Sequence, residues 1–523
     1  MNYPLYKKGQ FRPYRNFYIL LCLSFISFFS IQSVTAQTDA QRDWILERSD
    51  TTFLNDFYLQ CYQEQTEQLE LADSLATLFG WERRIVTPDG TIKILIGVTP
   101  QNEPIYDELS NADASKTTRT DFLNSNGGLG LNLNGQGMKI FMWDIRSPRY
   151  GHQEFMQPNG QSRAIDNDEN TNANLIIDHG THIMGTLIGS GLNPEARGMA
   201  PEAICYAHSL DMDITEATSA VLEHGMLLSN HSYRGDTEDL DWTLGAYVDR
   251  SRDWDLLMFS APYYLMVTSA GNNSGGAPIE PIVEGMDDLV NIELVKNSLS
   301  IANCHDIEPI DGEVESSDIE RHFTSSFGPT DDLRMKPDLA GNGVEVLSAG
   351  ITSDEDYYFE TGTSMASPNV AGSLLLLQEH YSNVHGTFMR AASLKGLALH
   401  TADIQGTIGT DGPNPGVGWG MLNARRAAEV ISDDNMTSFI LEETLQDGET
   451  MTFVLEANGD EPLQASISWT DPAGPVNDGN LNDMSPVLIN DLDIEVVRLN
   501  DGDVSLPWKY ELNGGILTAV QAD

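Results

Sequence analysis

A serine, a histidine and an aspartate stand in this sequence where apolar segments begin or end, and residues of these types together could carry out nucleophilic acyl transfer. Ser364 lies in Gly362-Thr363-Ser364-Met365-Ala366-Ser367-Pro368-Asn369-Val370-Ala371-Gly372, which runs into Leu374-Leu375-Leu376-Leu377. Pro368 has no N–H and is tolerated where that group would be unbonded, which predicts a helix starting within a few residues of Ser364. The segment behind it has no polar face, so the helix is predicted to be buried inside a large domain. On this stretch alone, a plain N-cap serine and a reactive one stand level. A hydroxyl becomes a nucleophile when a base takes its proton and a carboxylate orients that base. Ile177-Asp178-His179-Gly180-Thr181-His182 offers the base, and Met138-Lys139-Ile140-Phe141-Met142-Trp143-Asp144, an apolar run ending in an acid, offers the carboxylate.

Asp144, His179 and Ser364, in that chain order and with their flanks, resemble the three signature blocks of the subtilisin-like serine peptidases. The resemblance implies that Asp144 holds the imidazole, His179 acts as general base and Ser364 attacks. A fourth block, Leu265-Met266-Val267-Thr268-Ser269-Ala270-Gly271-Asn272-Asn273, is similar to the family's oxyanion strand and implies Asn272 as the oxyanion donor. Such a donor is worth about 3–4 kcal/mol in subtilisin itself, where the magnitude was established. Ser229-Asn230-His231-Ser232-Tyr233-Arg234-Gly235 aligns with the edge that pairs with substrate backbone in the family. That implies Ser232 and Tyr233 as groove residues, with Ala270 and Gly271 opposite forming the primary specificity pocket. Such small residues are expected to leave an open apolar pocket and broad cleavage after large apolar residues. The chain departs from the family pattern twice. Ile145-Arg146-Ser147 follow Asp144 where Ser or Thr and then Gly are usual, which is expected to crowd the strand end. Arg234 stands in place of a glycine or marks a one-residue insertion, and reads either as a solvated loop arginine or as a group that favours acidic substrates.

Holding such residues in register requires a rigid frame. From about 125 to 432 apolar strands alternate with helical stretches, the pattern of an α/β domain whose parallel sheet is covered by helices on both faces. Active groups are then expected at strand ends and helix starts. The subtilisin-like resemblance covers roughly this span, as the catalytic domain. Residues 37–124 read as an N-terminal extension or propeptide: helix from 37 to about 80, rich in Gln, Glu and Leu over Tyr58 to Phe79 and stopped by Gly80, then strands Trp81–Val86 and Thr91–Val98 around Thr87-Pro88-Asp89-Gly90. Both an inhibitory propeptide and a segment that stays attached fit, and the absence of a dibasic site near 125 favours the second. Over 433–523 the alternation at Met451–Leu455, Ala465–Pro472 and Leu488–Val497 predicts a β-sandwich. Its Trp469-Thr470-Asp471-Pro472 and Asn490-Asp491-Leu492-Asp493 resemble the jelly-roll domain of one subtilisin branch, the oxidatively stable alkaline proteases, and too few strands are expected before Asp523 to close such a domain.

The chain has 523 residues, enough for two or three domains, and 29 Lys+Arg against 78 Asp+Glu give a net charge of −49. The first 36 residues hold four basic residues and no acid, which leaves −53 for the remainder. Such a surface repels nucleic acid and anionic membranes, so the expected partners are protein or peptide substrates. Residues 1–36 read as a signal peptide, basic through Arg15, apolar from Phe17 to about Phe29 and ending Val34-Thr35-Ala36. A secreted, extracellular protein without a membrane anchor follows, an uncleaved anchor helix being the alternative. Cys205 and Cys304, in apolar strand-like runs, are expected as buried free thiols.

No cofactor is expected for catalysis: His179 and His182 share a helical face, but the glutamate of a zinc-peptidase helix is absent, and His182 reads as a satisfied helix histidine. A structural calcium ion is an expectation drawn from the family, with weak candidate ligands at Asp166–Asn170, Asp354–Asp356 and Asn477–Asp493. Oligomeric state is left open. The expected function is a secreted serine endopeptidase working through an Asp-His-Ser triad and an acyl-enzyme. Its alternative is a catalytically silent subtilisin-fold binding or adhesion protein, which Ile145-Arg146 suggests.

Overall fold

The computed structural model describes residues 37–522 apart from 83, 87–91, 99–103, 108–113, 146, 169–177, 237–240, 274–280, 308, 406–411, 458 and 460–462. The signal-peptide reading, the Thr87–Gly90 turn and Arg146 lie outside the described residues. Helix α1 (Asp39–Leu46) opens on a capping box made by Thr38 and Gln41. Where one helical stretch from 37 is expected, the chain breaks after α1, and helix α2 (Thr51–Phe79) starts at the Asp50 cap and ends as predicted at Gly80, whose φ of 76° places it in the left-handed region. Strands β1 (Arg84–Val86) and β2 (Ile92–Val98) form the expected antiparallel pair, and β3 (Pro104–Asp107), which the sequence did not reveal, adds to β2.

The rest of the chain alternates as predicted: β4 (Lys139–Asp144), β5 (Ala164–Asp166), α3 (Asp178–Ile188), β6 (Ile204–Ser209), α4 (Asp213–His224), β7 (Leu228–His231), β8 (Gly235–Asp236), α5 (Asp249–Ser260), β9 (Leu265–Ser269), β10 (Leu299–Cys304), β11 (Leu339–Asn342), β12 (Val346–Ala349), β13 (Tyr357–Glu360), α6 (Thr363–His385), α7 (Ala391–His400) and α8 (Ala424–Ser432). Seven strands form one sheet in the order β11-β10-β9-β7-β4-β6-β5. Every neighbouring pair in it runs parallel. A second sheet, β1-β2-β3-β8, ties the N-terminal strands to the segment after β7.

The period-2 alternation of β4 divides the core. Ile140 and Met142 face the helix α6 side, where Leu374, Leu375, Leu376 and Leu377 are all buried. Phe141 and Trp143 face the other layer, with residues of α4, α5 and Leu54 and Phe57 of α2. Each buried leucine contributes about 1.5–3 kcal/mol, so α6 is anchored along its whole apolar run. Cys205 and Cys304 are buried and free.

Beyond α8 the chain is β-rich in the form of two antiparallel pairs, β14 (Val496–Val497) with β15 (Val504–Ser505) and β16 (Trp508–Asn513) with β17 (Ile516–Gln521). The runs at 451–455 and 465–472 belong to no strand, and Phe453, Val454 and Ile467 are exposed. Alternation predicts a strand, but a strand forms only where a neighbour takes its backbone hydrogen bonds. Part of this region docks instead through a buried ion pair: Lys296 Nζ meets the Asp471 carboxylate, and Asn297 Nδ2 donates to Asp471 O at 2.9 Å. Among the described residues, no helix is long and apolar enough to cross a membrane.

Candidate active site

Asp144 ends β4, Asn272 and Ser232 follow β9 and β7, and all three strands are neighbours in the parallel sheet, so these residues share its carboxyl-terminal edge. Trp143, one residue before Asp144, is stacked between His208 at 4.6 Å and His231 at 5.0 Å, which fixes the strand end. Asp144 is 1% exposed. Its Oδ2 and Oδ1 lie 2.8 and 3.1 Å from Nδ1 of His179, the second residue of α3. Oδ1 also accepts the Ile145 N–H at 2.7 Å. The Ile145 side chain is buried in the core layer that holds Phe141 and Trp143, while Arg146 lies outside the described residues.

A carboxylate against Nδ1 puts the imidazole proton there and leaves Nε2 as the basic atom. Nε2 is buried and has no hydrogen-bond partner. Burial disfavours charge on this ring, and the charge and hydrogen bond of Asp144, helped by Glu360 and Asp178, outweigh it, so the His179 pKa stands above its ordinary 6.5. His182 is buried and meets Val346 O at 3.2 Å, a satisfied helix histidine as read from the sequence, and burial pulls its pKa to about 3, which keeps it neutral.

Ser364 is the second residue of α6, and Pro368 sits inside the helix instead of in its first turn. A residue at 368 would normally donate its N–H to the carbonyl of 364, so proline leaves the Ser364 carbonyl without a helical donor. The Ser232 hydroxyl donates to that carbonyl. In return Ser364 Oγ donates to Ser232 O at 3.3 Å. Asn230 completes the clasp, giving its Nδ2 to Ser232 Oγ at 2.9 Å and taking Ser367 Oγ at 2.7 Å.

Asn272 Oδ1 accepts both the backbone N–H and the hydroxyl of Thr363, at 2.9 and 3.2 Å. A backbone N–H requires an acceptor, so this contact fixes which end of the amide is oxygen and makes Nδ2 the donating end. The residue that orients Asn272 is therefore the one that precedes Ser364.

The groove assignment needs correction. The Tyr233 side chain is 0% exposed; its hydroxyl donates to Asp213 Oδ2 at 2.7 Å and meets His231 Nδ1 at 2.8 Å. Ser232 is equally buried and its hydroxyl is spent on Ser364 O. Neither side chain lines a groove, and what this segment can offer a peptide is backbone. Ala270 is buried with Leu289 and Leu294. Gly271 has a φ of 85°, and a methyl group there would come within 2.8 Å of Arg234 Nη1, 3.0 Å of Glu293 Oε1 and 3.1 Å of Ser326 Oγ. The surroundings of the expected apolar pocket are thus polar. Arg234 is not a solvated loop arginine: it is 5% exposed.

Three contributors were missed by sequence reasoning. Glu293 and Ser326 meet Gly271 from distant segments of the chain. Glu360, two residues before the Gly362 block, acts on the charge of His179, and burial first of all pushes its own pKa up to about 7. An acid this close ahead of the serine block was the available hint. For calcium, Asp356 Oδ2 accepts the Thr352 N–H at 3.0 Å and Asp354 Oδ1 pairs with Arg149 at 2.6 Å, while Glu169 and Asn170 lie outside the described residues. Among the described residues no group of three or more His, Cys, Asp or Glu stands ready to hold a metal, so calcium is given no position.

Comparison with known proteins follows this geometry. The Subtilase family model matches residues 104–420, more than half of the chain. Bacillopeptidase F of Bacillus subtilis (strain 168) is 26% identical over 279 residues, which are 49% of this chain and 17% of that protein. Subtilisin-like protease SBT6.1 of Arabidopsis thaliana is 23% identical over 368 residues, 68% of this chain and 29% of that protein. The chain spans less than a third of the length of these two relatives. The solved CspB protease of Clostridium perfringens aligns over 62% of this chain and 99% of its own, at 14% identity and a TM-score of 0.49. By the extent of the family match, this chain belongs to the Subtilase family.

Proposed function

We propose that the chain is a secreted serine endopeptidase that hydrolyses peptide bonds in protein or peptide substrates. Ser364 Oγ attacks the carbonyl carbon while His179 Nε2 takes its proton, and Asp144 stabilises the imidazolium that forms. The oxyanion is met by Asn272 Nδ2 and by the Ser364 N–H, which lies in the first helical turn where N–H groups have no intrahelical acceptor. His179 then protonates the leaving amine, and a water molecule, activated the same way, hydrolyses the acyl ester. The observation that carries this reading is the buried Asp144–His179 pair, whose 2.8 Å contact leaves Nε2 as the base. Catalysis calls for no cofactor, and a structural calcium ion is kept as a family expectation without an assigned site. Secretion rests on the signal-like character of residues 1–36. Residues 37–124 precede the catalytic domain, 125–432, and 433–523 follow it.

A second reading, a catalytically silent binding or adhesion protein, is favoured by one feature: Ser364 Oγ bonds Ser232 O while Nε2 has no partner. Serine–histidine contacts are often open before substrate arrives, and the peptidase reading has the Ser364 hydroxyl leave Ser232 O for Nε2 when substrate binds. A fluorophosphonate probe separates the readings. Labelling of Ser364 that disappears on heating and in Ser364→Ala supports the peptidase; correctly folded protein that takes no label supports the silent form.

A further inference from the structure

We infer that Arg234 is the specificity-determining residue of this site and that it selects substrates with a carboxylate on the residue whose carbonyl is attacked, so that cleavage falls after Glu or Asp. This rests on the Ser364 reading above and specifies its substrate.

The location follows from connectivity. A substrate carbonyl placed between Ser364 Oγ and Asn272 Nδ2 carries its side chain on the next carbon, within a few ångströms of whatever flanks Asn272. Gly271 is that flank, and the atoms crowding it are Arg234 Nη1, Glu293 Oε1 and Ser326 Oγ, at 2.8, 3.0 and 3.1 Å from where a methyl group would stand. From the other side Ser232, two residues before Arg234, touches Ser364 through both its hydroxyl and its carbonyl. The guanidinium therefore lies between the segment that clasps the nucleophile and the segment that carries the oxyanion donor.

The chemistry follows from what each group already does. Nη2 of Arg234 donates to Asp288 O at 3.0 Å. Nε is 3.6 Å from Glu293 Oε1, beyond hydrogen-bond length, and neither Nε nor Nη1 has a hydrogen-bond partner. Glu293 takes the Val290 N–H on Oε2 at 2.7 Å and turns Oε1 towards Arg234 and Gly271. Ser326 Oγ accepts the Asn273 N–H at 3.3 Å, which leaves its own O–H to donate. Two donors of Arg234, Nε and Nη1, face one acceptor, Glu293 Oε1, so the capacity in excess at this spot is of donors on a cation. A carboxylate accepts from a guanidinium through two parallel bonds, here from the Nη1–Nη2 end, where Nη2 has a second N–H besides the one on Asp288 O, and the Ser326 hydroxyl adds a third. An apolar side chain would leave those buried donors unsatisfied, and an ammonium would be set beside Nη1. The expected broad apolar preference is replaced by an acidic one.

The test uses the full chain and matched fluorogenic tetrapeptides that differ only before the scissile bond, with Glu, Leu or Lys there. At pH 7 kcat/KM should be at least about 100-fold higher for Glu than for Leu, because a site built for hydrogen bonding rejects partners that cannot make them, and Lys should be poorest. Arg234→Met should bring the Glu-to-Leu ratio near one, and Arg234→Lys, which keeps the charge and loses the fork, should fall between. The Glu preference should also fade as the substrate carboxyl protonates near pH 4. If both variants fail to fold, cleavage sites left by the unaltered protein in a proteome-derived peptide library give the same answer by mass spectrometry. Probe-reactive protein that cleaves after Leu or Lys as readily as after Glu overturns the inference, as does a folded Arg234→Met with an unchanged ratio. Absence of both probe labelling and cleavage overturns the serine reading itself, and this inference with it.

Discussion

Asp144 and His179 meet through contacts of 2.8 and 3.1 Å in a buried pair, whereas Ser364 gives its hydroxyl to the Ser232 backbone at 3.3 Å and leaves His179 Nε2 alone. On the proposed reading, the acid–base half is assembled before any substrate arrives, and the nucleophile half has its backbone fixed and its hydroxyl on the Ser232 carbonyl. The energies explain why both can coexist. A neutral hydroxyl–carbonyl bond contributes only about 0.5–1.5 kcal/mol net and exchanges easily, while a charge-assisted one is roughly twice as strong. Preorganisation is thus concentrated where the proposed mechanism develops charge, on the imidazole and at the Asn272 amide.

Breaking the assembled half should cost most. Asp144→Asn is expected to lower kcat about 10⁴-fold, the loss seen when a triad acid is neutralised. It should also move the acid limb of the pH–rate profile from above 6.5 to below it, since burial then acts on His179 with its main counterweight gone. A limb that stays put would mean that Asp144 does not set the imidazole charge. Asn272→Ala, which removes the preset donor on the nucleophile side, should reduce kcat about 10²–10³-fold with KM little changed. Steady-state kinetics that show KM rising instead would place Asn272 in ground-state binding. Ser232→Ala strips the Ser364 carbonyl of its hydroxyl donor and should lower stability by about 1–3 kcal/mol, read as a drop in Tm; an unaltered melt would dismiss the compensation between Pro368 and Ser232. The smallest effect belongs to Glu360→Gln. Its carboxylate helps to hold the His179 pKa up, so the acid limb should shift downwards by less than about one pH unit, and an upward shift would contradict the sign.

What the sequence disclosed was what is local. Asp144, His179 and Ser364 each sit in a short block whose own residues form the strand end or helix start that presents them. The parallel sheet was likewise legible, because β4 and its neighbours are near-continuous apolar runs between helical stretches. Tyr233 misled because its hydroxyl is claimed by Asp213 of α4 and by His231, and nothing beside Tyr233 announces that partner. Arg234 went unplaced for the same reason, its counter-charge Glu293 arriving from beyond β9. Strand β3 is only four residues long and opens on Pro104, a residue that a strand accepts at its first position but that reads as a breaker. The runs after Ser432 show the limit of periodicity: it states which face could be buried and not whether anything is there to cover it.

Strand β3 lies antiparallel on β8, with Tyr106 opposite Asp236 and Asp107 opposite Gly235, immediately after Arg234. An incoming extended peptide that continued its backbone pairing past Arg234 would meet this tenant from its own chain. Tethered competitors act at effective concentrations of the order of millimolar when the linker is short, whatever the dilution of the protein. On the proposed reading, occupancy of that edge of β8 by a foreign peptide would be a contest set by tether length and not by enzyme concentration, and a peptide present at micromolar levels would gain it only after β3 had let go.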